Sequence, residues 1–124
     1  MEHGLPKNLY SKHILELYKS QKNYGLLENP TAEITETNSL CGDEITIQLI
    51  VKDKKIRDAK FSGSGCVLSL VSSSLITDKI KDKNISEVKK MDKKDVLKLL
   101  GISVTPSRMK CVMLPLEAVK KALG

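Results

Sequence analysis

At 124 residues, 40% hydrophobic and 29% charged, the chain has the size and composition of one compact domain with its own core. No apolar run approaches the roughly 18 residues that a membrane span needs, and the opening MEHGLPKNLYSKHILELYKS is too polar for a secretory signal peptide. A cytoplasmic, reducing location is therefore expected. The net charge of +6 arises from lysines interleaved with acids (VKDKKIRDAK, TDKIKDKN, VKKMDKKDVLK), the pattern of solvated faces, and aromatics make up only 3%. Scarce stacking platforms argue against nucleic-acid binding.

No repeat, low-complexity tract or linker divides the chain, so a single domain over 1–124 is expected, with 1–8 as a flexible tail. Residues 8–20 place Leu9, Ile14, Leu15, Leu17 and Tyr18 at amphipathic-helix spacing, with Ser11 as a plausible cap. SQKNYGLLENP reads as a loop and TAEITET as a short strand. Asp43 to Lys52 is a stronger strand, with Ile45, Ile47, Leu49 and Val51 alternating against Thr46 and Gln48. KDKK then makes a tight turn, and Lys55 to Ser62 returns with Ala59 and Phe61 on one face.

From Val67 the period changes: Leu68, Val71, Leu75, Ile76 and Ile80 mark a helix of about fourteen residues. Its serine run, SLVSSSL, is expected to face solvent or small-residue helix contacts, with no His or Asp partner to make it catalytic. Ser86 to Leu100 suggests two short helices divided near KMD and closed by Gly101. The last segment, RMKCVMLPLEAVKKAL, is helical. A proline inside a helix costs about 3 kcal/mol, so Pro115 predicts that Cys111 sits at, or just before, the helix start. The assembly expected is α+β: a small three-stranded antiparallel sheet with helices packed mainly on one face.

Three cysteines at 41, 66 and 111 do not form a disulfide framework, and in a reducing setting they suggest metal or thiol chemistry. Buried cysteines acting as small hydrophobes are the alternative. Each lies at the end of a predicted element: Cys41 before a strand, Cys66 closing SGSGC at a helix start, Cys111 near the last helix. In an extended segment Cys41 and Asp43 point to one side. Helix starts favour a thiolate, Gly63 and Gly65 let the backbone bend sharply and approach a bound ion closely, and Arg108 and Lys110 add positive charge beside Cys111. Three sulfurs and one carboxylate make a plausible four-coordinate site for zinc or for cluster iron. The oxygen ligand suggests a site from which something can be released. His3, in the tail, and His13, on the first helix, are read as surface histidines.

CGDEITIQLIV, then IRDAKFSGSGCVLSLVSSSLITDKIKDK, then PSRMKC together resemble the U-type iron–sulfur cluster assembly family, which comprises IscU, SufU and the N-terminal part of NifU. The resemblance runs from about Leu9 to the C-terminus. It implies a SufE/NifU-like α+β fold and a site made of Cys41, Asp43, Cys66 and Cys111. Those positions would hold a nascent, labile [2Fe–2S] cluster, or zinc when the cluster is absent. It further implies sulfur delivered as a persulfide by a pyridoxal-phosphate cysteine desulfurase; Cys111, on a flexible approach, is the first choice of acceptor among the three cysteines. Cluster carriers or apo-proteins would be the recipients, and the role would be that of a scaffold rather than an enzyme. Three thiolates leave coordination incomplete, so a monomer and a cluster-bridged oligomer are both compatible.

Two departures from the family pattern stand out. IscU proteins typically have histidine before the third cysteine, where this chain has Lys110 in RMKC, similar to SufU, whose members act as zinc-dependent sulfur acceptors. Yet the 45-position step from Cys66 to Cys111 leaves no room for the insertion SufU carries there. ISVTPSRMK also lacks the Leu-Pro-Pro-Val-Lys stretch associated with a dedicated chaperone. A zinc-dependent sulfur acceptor that stimulates a desulfurase is the alternative reading.

Overall fold

A strand that alternates Ile45, Ile47 and Leu49 against polar residues must bury one face, and these three side chains lie at the centre of the core. The computed structural model describes residues 12–40 and 42–124. Within them the chain runs α1 (Lys12–Ser20), β1 (Ala32–Asn38), β2 (Asp43–Lys52), β3 (Lys55–Ser64), α2 (Val67–Ile80), α3 (Ile85–Lys89), α4 (Lys93–Leu100) and α5 (Pro106–Leu123). The strands form an antiparallel meander in the order β1-β2-β3, so the expected α+β architecture is observed. The predicted flexible tail and the caps and contacts expected of Leu9 and Ser11 fall outside the described residues.

Register explains which side chains face inward. β1 pairs with β2 from Ala32 opposite Leu49 to Asn38 opposite Asp43, which sets these last two residues side by side. β2 pairs with β3 across a two-residue turn at Asp53 and Lys54, whose φ values of 55° and 63° meet the type I′ requirement that matches strand twist. A bulge at Ile50/Val51 then shifts the pairing, so that Ile56 and Ala59, three apart, both reach the core with Phe61. The free side of β3 is covered in part by the loop after α1: Gly25 N–H donates to the Phe61 carbonyl (2.8 Å) and Phe61 N–H to the Asn23 carbonyl (3.0 Å).

The helices pack on the core side of this sheet. α5 lies on β1 and β2, α2 on β3 and α5, and α1 and α4 on α2. α2 is thus enclosed on several sides, which its sequence permits because the polar positions are small. Ser69, Ser72, Ser73, Ser74 and Thr77 are all buried. The expectation that the serine run contacts other helices holds, and the solvent-facing option does not. Their hydroxyls are satisfied: Ser73 and Thr77 bond back to the carbonyls of Ser69 and Ser73 (2.8 and 2.7 Å), and Ser74 donates to the Lys22 carbonyl (2.8 Å). α3 and α4 are two short helices as predicted, each opened by a capping box, Asn84/Glu87 and Asp92/Asp95. Gly101 closes α4 in the left-handed conformation, φ 68°.

α5 departs from expectation. It begins at Pro106, behind Thr105 as N-cap, and runs unbroken through Pro115. Cys111 therefore lies in its second turn rather than at its start. Proline at the first helical position is favourable because its missing N–H is not needed there. Pro115 is a different matter: it lacks the N–H that would serve the Cys111 carbonyl four residues earlier. The structure supplies donors from α2 instead. Ser69 Oγ lies 3.1 Å from the Cys111 carbonyl, and Ser72 Oγ donates to the Val112 carbonyl at 2.6 Å. The Ser69 bond stands in for the lost ladder bond, and with the neighbouring Ser72 bond, each worth about 0.5–1.5 kcal/mol net, it offsets part of the cost of an interior proline.

The β2–β3 turn offers a direct check on this description. Lys54 holds a left-handed backbone that costs a side-chain-bearing residue roughly 1 kcal/mol. Lys54→Gly is therefore expected to raise unfolding stability in urea by about 0.5–1 kcal/mol. A loss of stability would show that the turn is not held in this conformation.

Candidate metal and cluster site

Asp43 opens β2 and is only 2% exposed. A buried carboxylate must be hydrogen-bonded or neutralised, and both of its oxygens are engaged by α2. Oδ1 accepts the Cys66 backbone N–H at 2.8 Å, and Oδ2 accepts the Ser69 hydroxyl at 2.8 Å. Cys66 is the N-cap of α2, in an extended conformation, and makes no side-chain cap bond. The first turn of α2, with its N–H groups and positive dipole end, faces this carboxylate.

Two glycines make the approach possible. At Gly65 an added Cβ would overlap the Asp43 carboxylate, so only glycine lets the loop pass this close. Gly63 has φ 126°, and a Cβ there would run into the Glu44 carbonyl. The sequence predicts that Gly63 and Gly65 bring the backbone close to a bound ion; the groups they approach closely are the Glu44 carbonyl and the Asp43 carboxylate.

Cys111 reaches the same point from α5. Asp43, Cys66 and Cys111 offer one oxygen and two sulfurs that all lie within 4.8 Å of one another. Cys66 Sγ is 4.0 Å from Asp43 Oδ2, and Asn38 Nδ2 lies 3.9 Å from Cys111 Sγ. Around a tetrahedral zinc, neighbouring donors would stand about 3.5–3.8 Å apart. The group needs only a small contraction to hold such an ion, and its mixture of thiolates and carboxylate suits zinc or iron. Neither described cysteine is in a disulfide.

The remaining predicted site residues are distributed differently. Cys41 lies outside the described residues; its neighbour Leu40 is highly exposed, and Gly42 takes φ 72° just before Asp43. Lys110 is exposed and Arg108 is half-buried one turn before Cys111, and neither belongs to the group of three donors. His13 is exposed on α1 and also stands apart from it. Cys66 is half-buried, but Cys111 is fully buried, which differs from the open helix start expected of it. A groove of about 680 Å³ lined by Lys79, Lys83, Lys90 and Lys98 contains none of the three donors.

Sequence reasoning missed two residues here. Ser69, read as having no acidic partner, bonds Asp43 directly. It follows Cys66 by three positions, so it shares a helix face with the start of α2, and that spacing is the signal that would have found it. Asn38 carries no local signal, because its place beside the site comes from the β1–β2 register.

Residues 9–124 match the family model described as the NifU-like N terminal domain. The iron–sulfur cluster assembly scaffold protein IscU of Thermotoga maritima is 35% identical, with 94% of this chain and 94% of that protein covered. The zinc-dependent sulfurtransferase SufU of Bacillus subtilis is 32% identical, over 94% of this chain and 90% of that one. Among solved structures, a candidate iron–sulfur cluster assembly scaffold for the SUF system, FiSufU from Fervidobacterium islandicum AW-1, superposes with a TM-score of 0.81. It is 28% identical and covers 95% of this chain and 98% of its own. With its sheet, its helices and its Asp-Cys-Cys donor group in place, the chain belongs to the NifU-like N-terminal domain family.

Proposed function

We propose that this protein is a scaffold on which a nascent [2Fe–2S] cluster is assembled and from which it is passed on. The observation that carries the reading is the convergence of Asp43, Cys66 and Cys111 within 4.8 Å, from three different elements. Cys41, two residues before Asp43 in sequence, is the fourth ligand in this proposal. The relatives described above, one named as an IscU scaffold and one as a SufU sulfurtransferase, support the same chemistry.

The cluster is cargo, and the donor set suits cargo. Thiolates bind iron tightly, whereas a carboxylate oxygen is a harder ligand that exchanges more readily. Asp43 is also kept from collapsing onto the metal by its two hydrogen bonds to α2. Sulfur would come from a pyridoxal-phosphate cysteine desulfurase carrying a persulfide. The Cys111 thiolate attacks the outer sulfur of that persulfide; a new S–S bond forms on Cys111 and the desulfurase cysteine leaves as a thiolate. Because Cys111 is fully buried, this transfer requires the residues over it to part when the desulfurase docks. Arg108 and Lys110, on the same helix, supply the positive charge that would favour an anionic sulfur there in this reading. Carriers or apo-proteins then receive the cluster.

A second reading has its own support. Lys110 in place of histidine, and a zinc-dependent sulfurtransferase among the relatives, favour a zinc-bound sulfur acceptor that stimulates a desulfurase. The missing insertion does not decide between them. The alignments to the IscU and the SufU relative both extend over 133 positions against 124 residues here, so both relatives carry segments that this chain lacks.

Anaerobic purification separates the two. Iron and acid-labile sulfide, with thiolate-to-iron absorption in the visible, are expected; stoichiometric zinc with stimulation of the desulfurase, and no iron, would transfer the conclusion to the sulfur acceptor. In the scaffold, Asp43→Ala is expected to retain the coloured cluster about tenfold longer in the presence of a chelator, read as the decay of visible absorbance. Decay at the wild-type rate would remove Asp43 from the ligand set. Cys66→Ser should lose most bound metal, measured by metal analysis after gel filtration.

A further inference from the structure

Pro115 and Ser69 are 46 positions apart in sequence, and the site links them through a single proton. Ser69 Oγ is 2.8 Å from Asp43 Oδ2 and 3.1 Å from the Cys111 carbonyl. Both partners are acceptors, and a serine hydroxyl has one hydrogen to give. In an ordinary helix the carbonyl of residue 111 would take the N–H of residue 115, and Ser69 could then serve the carboxylate alone. Proline at 115 removes that N–H and directs the carbonyl to Ser69. All the groups concerned are buried: Ser69 and Cys111 are 0% exposed and Asp43 is 2% exposed. Burial limits the access of water to these acceptors, so the single Ser69 proton is drawn toward both of them.

We propose that Ser69 is a positioning residue whose hydroxyl proton is shared between Asp43 and the Cys111 turn, and that Pro115 creates this sharing. The consequence is a carboxylate held firmly at Oδ1 by the Cys66 N–H, whereas Oδ2, which the Cys66 thiol approaches at only 4.0 Å, has the Ser69 proton part of the time. The inference rests on the reading of Asp43 as a ligand, which it deepens: the lability of the carboxylate corner is set by α5 as well as by oxygen chemistry. A cargo metal drawing on Oδ2 shifts the proton toward the Cys111 carbonyl, and departure of the metal lets it return. Loading is thereby coupled to the turn that carries Cys111.

The test uses the full chain under reducing conditions, with two readouts. The first is thermal unfolding of the metal-free protein, which does not depend on the ligand assignment. Ser69→Ala is expected to lower the melting temperature by about 5 °C, because the Cys111 carbonyl and the carboxylate both lose the Ser69 donor. Adding Pro115→Ala supplies an N–H at 115, so it should raise the melting temperature more in the Ser69→Ala background than in wild type. Equal effects of Pro115→Ala in both backgrounds overturn the link. Should Ser69→Ala alone fail to fold, the double variant is expected to fold, and its failure likewise overturns the proposal.

The second readout is anaerobic cobalt(II) binding, followed by its d–d bands. Ser69→Ala is expected to weaken cobalt affinity about tenfold and to alter the bands in the same direction as Asp43→Ala. Pro115→Ala should weaken affinity by a few-fold, since the Cys111 carbonyl is then served by the new N–H and the Ser69 proton stays on the oxygen the metal draws on. In the Asp43→Ala background, Ser69→Ala should leave affinity unchanged, and a further loss there would overturn positioning through Asp43. An Asp43→Ala protein with wild-type cobalt affinity and bands overturns the ligand reading itself, and the unfolding cycle still decides whether Ser69 joins α2 to the Cys111 turn.

Discussion

Burying a carboxylate in a small α+β core requires that hydrogen bonds replace the water it loses, and Asp43 meets that requirement by binding the start of α2 to the start of β2. The geometry around it follows. The Cys66 N–H can reach Oδ1 only if the preceding loop passes against the carboxylate, which a Cβ at Gly65 would prevent. Once Cys66 is fixed as the N-cap, its side chain is held beside the same carboxylate. Ser69, one turn further along, then extends the contact from α2 to α5. A single polar anchor thus brings together donors that are distant in sequence.

The rest of the core makes that anchor possible by keeping α2 and α5 in contact. Helices that pack closely need small residues between them, and α2 meets α5 with serines. Those hydroxyls bind carbonyls on α5 at Cys111 and Val112, the point where Pro115 interrupts the ladder. The serine face and the proline are therefore complementary features: hydroxyls without such acceptors would be costly to bury, and an interior proline without such donors would leave a carbonyl unserved. At its other end α5 is held by Lys121, which donates to both oxygens of Glu36 on β1 (3.0 and 2.9 Å). That hydrogen bond and the attraction of Glu36 raise the Lys121 pKa above its ordinary value. As Lys121 is solvent-exposed while Glu36 is only half-buried, the pair guides the position of α5 more than it stabilises it.

Most of the architecture was legible because local rules and tertiary packing agreed. The period-2 run from Ile45 to Val51, the turn at Asp53–Lys54 and the stop at Gly101 each depend on residues within a few positions. The metal-capable side chains were legible for a related reason: Cys66, Asp43 and the glycines sit at element ends, where sequence signals concentrate. What could not be read lies in pairings at long sequence separation. Pro115 argued for a later helix start because nothing nearby offers its lost hydrogen bond a substitute; the donor, Ser69, stands 42 positions before Cys111, on α2. The burial of Ser69 and Ser72 follows from the same pairing, and so does the placement of Cys111 in a closed second turn.

That placement bears on how the site works. A thiol at an open helix start would be reachable at once, with the dipole to stabilise its anion. A thiol in the second turn, packed against Asp43 and Ser69, is shielded from solvent and from unwanted oxidants until something moves. The helix that carries it has its regular ladder interrupted at the same turn, so local opening there breaks fewer main-chain bonds than it would in an unbroken helix. Protection and accessibility are thus combined in one element. The hydrogen bonds that replace the missing ladder bond come from the helix that also holds the carboxylate, so the chemistry of the site and the packing of its walls share the same few atoms.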